Sequence, residues 1–118
     1  MGKFNDFFRY FKQKKTTEGT KEAISKFNAI DTLISQKNLV IDTENYHVAM
    51  LDNLWSMYED DRLINFCKNL KFYCDMQNAY KGHKVVKKKN LLISLKYEND
   101  DVKPFCYFDG KGIIEYTN

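Results

Sequence analysis

The chain is poor in the residues that interrupt or staple a polypeptide. Among 118 residues there are one proline, five glycines and three cysteines. So little proline and glycine excludes long linkers and low-complexity tracts, and the sequence carries no internal repeat. Cys67, Cys74 and Cys106 are an odd number without close spacing. Cys67 and Cys74 fall on one helical run, about 10 Å apart along its axis, which is too far for a disulfide. All three read as buried thiols in a reducing compartment. No apolar run approaches the roughly 18 residues of a membrane span, and the first residues lack the apolar region of a secretory signal. Met1-Gly2 is followed by Asp6 where a myristoylation start needs Ser or Thr. A cytoplasmic protein is expected.

Chemistry-bearing residues are equally sparse. Of the two histidines, His47 and His83, neither stands at metal-ligand spacing from Cys, Asp or Glu. There is no glycine-rich phosphate loop and no Gly-x-Ser-x-Gly elbow. No cysteine lies at a predicted helix N-terminus, where a thiolate would be favoured. Glu59, Asp60 and Asp61 are consecutive, so on a helix they point different ways and read as a cap. His47 reads as a hydrogen-bonded core residue. No catalytic residue, metal ligand or cofactor is expected.

What the chain does have is aromatic side chains and an uneven distribution of charge. It carries nine Phe and eight Tyr, and a net charge of +3. Residues 1–15 hold Lys3, Arg9, Lys12, Lys14 and Lys15 against Asp6 alone. Residues 81–89 hold Lys81, Lys84, Lys87, Lys88 and Lys89 with no acid. Residues 38–61 hold Asp42, Glu44, Asp52, Glu59, Asp60 and Asp61 with no Lys or Arg. Such separation favours steering or an oriented interface.

The longest periodic run spans Asp60 to Tyr80. Indexed at about 100° per residue from Leu63, the side chains of Phe66, Cys67, Leu70, Tyr73, Cys74, Gln77 and Tyr80 fall within roughly 140° of arc. Asp60 or Asp61 suits the helix start, and Gly82 the left-handed stop. Phe72 falls among polar residues on the far side. There it is either covered by a second layer or exposed to a partner.

Before this helix, residues 3–15 form a basic amphipathic helix with Phe4, Phe7, Phe8 and Phe11 in one stripe. A helix of this kind packs on its own domain, docks in a groove or lies on a membrane. Residues 21–36 place Ala23, Phe27, Ile30 and Ile34 on one face. Leu39-Val40-Ile41 is a brief strand or a packed connector. Asp42 or Thr43 opens a third helix to about Tyr58, largely buried, with Trp55 as anchor.

After Gly82 the period changes to two. Leu91, Ile93, Leu95 and Tyr97 alternate with Leu92, Ser94, Lys96 and Glu98, and Val85-Val86 could begin the sheet. Val102 to Phe108 is a second strand in which Pro104 marks an edge or a bulge. Asp109-Gly110 signals a tight turn into a third strand at Ile113 to Tyr116. The expected architecture is α+β within one domain over 1–118: about four helices followed by a small three-stranded antiparallel β-meander. Its parts are the basic helix over 1–15, a helical core over 20–82 and hairpins over 83–118.

Three functions fit these features. The first is a small non-enzymatic binding module that engages another protein as regulator, inhibitor or immunity-type protein, through Phe72, Lys68, Arg9 and Lys12. The second follows from element order: helix, short extended run, two helices, hairpin. That order resembles a winged-helix domain over about residues 20–109, which implies nucleic-acid binding with Lys84, Lys87, Lys88 and Lys89 on phosphate. The polar face of the helix in the recognition role offers Lys68 and Lys71, with Asp75 beside them. The third is a small α+β enzyme or ligand-binding domain with a cavity between sheet and helices.

Overall fold

The computed structural model of the protein describes residues 18–85 and 89–116, residues 18–23 as backbone alone. Helix α1 spans Glu18–Ser35 and buries Phe27 and Ile30, with Ile24, Leu33 and Ile34 beside them. It stops at Lys37, whose φ of +63° cannot continue a right-handed helix. Strand β1 (Leu39–Asp42) and strand β2 (His47–Leu51) form a hairpin. Its turn is held by the Asp42 carboxylate, which accepts from the Asn45 side-chain amide at 2.8 Å and from the Asn45 backbone at 3.4 Å. A short helix α2 (Asp52–Ser56) leads into α3 (Asp60–Tyr80), which ends before Gly82 at φ +79°. Strands β3 (Leu91–Lys96), β4 (Val102–Phe108) and β5 (Ile113–Glu115) follow.

The five strands make one sheet in the order β1-β2-β3-β4-β5. All neighbours are antiparallel except β2 and β3, which run parallel. A parallel pair cannot close through a tight turn; here α2 and α3 form the crossover.

This corrects the expectation of four helices and a three-stranded antiparallel meander: the described residues form three helices and a five-stranded mixed sheet. The helix expected from residue 42 or 43 to about Tyr58 is instead a turn, strand β2 and the short α2. His-Val-Ala-Met-Leu alternates, with Val48 and Met50 buried and its other three residues half-buried. Read continuously with the α2 residues, that alternation spreads apolar side chains nearly all round a helical wheel and imitates a buried helix. Leu39 to Ile41 takes the strand alternative. Val102 to Phe108 is as expected, and Pro104 stands at a register shift opposite Ser94, in the part of β4 that runs past its pairing with β5. The basic helix over 3–15 lies outside the described residues.

The core lies between the sheet and the two long helices. Phe27 and Ile30 meet Leu39, Val48, Met50, Leu91, Ile93, Leu95, Cys106 and Phe108 from the strands, and Phe66, Cys67, Leu70, Tyr73 and Cys74 from α3. The inward stripe read from the sequence holds through Phe66, Cys67, Leu70, Tyr73 and Cys74, while Gln77 and Tyr80 are half-buried and one residue is added. Asn78, placed by periodicity among polar residues, is buried. Its Nδ2 donates to the Thr43 and Cys74 carbonyls, both at 2.9 Å, and its Oδ1 lies 3.3 Å from Nδ1 of His83. This amide ties the last turns of α3 to the β1–β2 turn. Nearby, the Tyr46 hydroxyl donates to Asp75 at 2.5 Å. Burial, then that bond, pushes the Tyr46 hydroxyl up to about 12.

Asn78→Ala removes both donations and is expected to cost about 1–3 kcal/mol in urea denaturation. An unchanged midpoint would show that the tether carries no stability.

Candidate functional site: the sheet face opposite the helices

The helices that build the core occupy one face of the sheet: Phe27, Ile30 and the α3 stripe join the core, with Leu54, Trp55 and Tyr58 packed against it. Side chains alternate along a strand, so the register assigns the other face. It carries Val40 and Asp42 from β1, His47, Ala49 and Leu51 from β2, and Leu92, Ser94 and Lys96 from β3. Tyr107 and Ile114 complete it. Two rows cross the strands, one through Val40, Ala49 and Ser94, the other through Asp42, His47, Leu92, Tyr107 and Ile114. No described helix lies over this face.

A solvated sheet face is normally polar. This one is mostly aliphatic and aromatic, with Val40 63% and Ile114 45% exposed. At one end the face dips into a concavity of about 500 Å³. Val40, Ala49, Leu51 and Val102 line it together with the charged Lys37, Lys96 and Asp100. Lys96 Nζ lies 3.6 Å from Asp100. Lys37 has no acidic partner among the described residues.

At the centre of the face, His47 Nε2 lies 2.8 Å from Ser94 Oγ, and Asp42 stands opposite His47 across the β1–β2 pair. The residue types are those of a nucleophile, a base and an orienting acid. The geometry is not. Ser94 is 1% exposed, so its hydroxyl is closed to a substrate. Asp42 is engaged by Asn45, whose side-chain amide is the main cause of its lowered pKa, ahead of the charge of His47. The pair latches β2 to β3.

Among the described residues no group of three His, Cys, Asp or Glu side chains stands together to hold a metal ion. The three cysteines are free and buried. Burial pushes the thiols of Cys67 and Cys74 up to about 12 and that of Cys106 to about 11. No described helix is long and apolar enough to cross a membrane.

Of the residues expected to meet a partner, Phe72 and Lys68 lie on the helical layer. Phe72 is on the outer side of α3 and 40% exposed, yet its ring centroid sits 5.5 Å from that of Phe27. It is both a packing group and an exposed edge. Lys68 lies beside it along a shallow depression of about 170 Å³. Arg9, Lys12, Lys87 and Lys88 are outside the described residues. Lys84 and Lys89 are exposed, and Lys89 Nζ lies 5.4 Å from the Tyr46 ring centroid. The element order behind the winged-helix resemblance does not hold, because the second helix it needs is strand β2 with α2.

This face, over which no described helix lies, was missed in the sequence. Its signal was present in Leu92 and Tyr107, apolar residues in the phase that should have been polar. A continuous apolar run marks a strand with both faces apolar. Comparison of the chain with protein-family models, curated proteins and solved structures finds no match.

Proposed function

We propose that the protein is a non-enzymatic binding module, a regulator, inhibitor or immunity-type protein, whose sheet face opposite the helices receives a protein partner. One observation carries this reading: the sheet face opposite the helices bears apolar side chains from all five strands, Val40, Ala49, Leu51, Leu92, Tyr107 and Ile114, around the polar His47 and Ser94, and opens at one end into a concavity. Contiguous exposed apolar surface marks a contact site, and interfaces combine an apolar centre with a polar rim. Lys37 favours a partner segment that carries a carboxylate next to an apolar side chain, while Lys96 is engaged by Asp100 at the same rim. The three shielded, unpaired thiols suit a reducing compartment such as the cytoplasm.

The test is capture from the native host with wild type, Ile114→Asp, Lys96→Glu and Phe72→Asp, each shown by circular dichroism to melt as wild type. One stoichiometric protein should be retained by wild type and Phe72→Asp, and its affinity should fall at least about tenfold, or about 1.4 kcal/mol, with either sheet variant. Loss with Phe72→Asp alone would move the site to the helical layer. Capture of no protein would overturn the reading.

A further inference from the structure

We propose that strand β5 pairs with β5 of a second copy of this chain, joining two sheets edge to edge. The bonding phase of the sheet decides which backbone groups are turned outward. The Leu92 amide donates to the Tyr46 carbonyl at 2.8 Å, so Leu92 faces β2. Bonding direction alternates along a strand, so Leu91 and Ile93 face β4. Their partners Phe108 and Cys106 face back toward β3, which leaves Tyr107 facing β5. Ile114, opposite Tyr107, faces β4. The N–H and C=O groups of Ile113 and Glu115 therefore point away from the sheet. Among the described residues nothing pairs with them.

This edge is open where pairing needs it. Ile113 is 38% exposed and Ile114 45%, and Glu115 is exposed as well. The opposite edge is closed, since Leu39 of β1 is 1% exposed. A charge normally guards so short an edge. Here the guard is matched within the same chain. Glu115 and Lys111, just before the strand, are both exposed, and neither stands in an ion pair among the described residues.

The strand is self-complementary in one register. A two-fold axis through Ile114 sets Ile113 opposite Glu115 of the second copy, twice over. Each is a pair of outward-facing positions that exchange both N–H···O bonds. Ile114 then meets Ile114 as a non-bonded pair with Cα atoms about 4.5 Å apart. Glu115 lies diagonal to Lys111 of the second copy, at the roughly 7–8 Å that long side chains span. A slip of one residue sets outward groups against inward ones. Moving the axis to Glu115 sets like charges opposite, and moving it to Ile113 leaves a single bonded pair within the strands. Ile114 belongs to the face opposite the helices, so that face runs on across the join. The join forms whether or not a partner binds there.

Sedimentation equilibrium of the purified full chain over a dilution series tests this, with no partner present. The mass of wild type should rise with concentration from 14.0 kDa toward twice that value. Glu115→Lys brings like charges together across the join and should weaken the dimer about tenfold. Adding Lys111→Glu to it swaps the two charges and should restore the dimer. Ile113→Pro removes only an outward amide and should weaken the dimer as Glu115→Lys does. Val40→Lys, on the opposite edge, should leave it intact. All variants are checked for wild-type circular dichroism. Cross-linking under mild oxidation reads the register. Ile114→Cys should give a disulfide-linked dimer, because its paired Cα atoms lie at disulfide distance. Ile113→Cys, two residues out of register, should not, and the native thiols are buried. A wild type that stays monomeric at every concentration overturns the proposal, as does a dimer indifferent to both Ile113→Pro and Glu115→Lys. Cross-linking through Ile113→Cys without cross-linking through Ile114→Cys would also overturn it.

Discussion

Phe27→Ala is expected to lower stability by about 3–5 kcal/mol. The side chain is fully buried between the sheet and α3. Its ring meets Tyr73 edge-on at 5.3 Å and 88°, and Phe72 at 5.5 Å and 43°. Each such aromatic pair adds about 0.5–1.5 kcal/mol to the burial itself. With Ile30, Phe27 is the side chain through which α1 enters the core, so the surroundings cannot collapse into the space without moving the helix. A domain of this size is stabilised by about 6–18 kcal/mol in total. The loss is therefore a large fraction of the whole, and should appear as a lower denaturant midpoint at unchanged slope. Phe72→Ala, which removes a ring already 40% exposed, should cost clearly less. A loss below about 1 kcal/mol for Phe27→Ala would mean that the cavity closes freely and that α1 is loosely held.

The second large effect is alkaline unfolding. Burial raises Cys67 and Cys74 from 9.0 to about 12 and Cys106 to about 11. It is also the main cause that lifts Tyr46 and Tyr73 from 10.0 to about 12. In each case the fold holds the neutral form, while the unfolded chain releases its proton near the ordinary value. Between those two values the native state binds more protons than the unfolded state, so stability falls as pH rises. The contribution is complete below about pH 9 and is lost progressively as pH climbs toward 12. Urea midpoints measured from neutral pH upward at constant ionic strength should decline steeply past about pH 9. A flat profile there would show that these groups are far more hydrated than their positions imply.

What was legible in the sequence followed from local periodicity. Leu63, Phe66, Leu70 and Tyr73 announce one inward face over twenty-one residues of unbroken helix. Asp109-Gly110 fixes a turn because glycine accepts the φ of +95° found there, while the Asp109 carboxylate accepts from the Lys111 and Gly112 amides, both at 2.8 Å. What was not legible is non-local. Whether residues 47–51 are strand or helix depends on β3 standing beside them, and nothing within that segment names β3. Asn78 looks like a surface residue until the β1–β2 turn brings the Thr43 carbonyl against it. The face opposite the helices is a property of the assembled sheet: Val40, Leu51, Leu92 and Ile114 come from four strands, and only the register places them on one side.

The lone parallel junction has a consequence of its own. On one side of it lies a hairpin, on the other a three-stranded meander, and each closes through short turns. Bringing the two halves together closes a loop that contains both crossover helices, so the entropic cost of long-range ordering is concentrated on a single seam. The His47–Ser94 bond adds a side-chain tie across that seam to the five-residue ladder and the Leu92 amide's bond to the Tyr46 carbonyl.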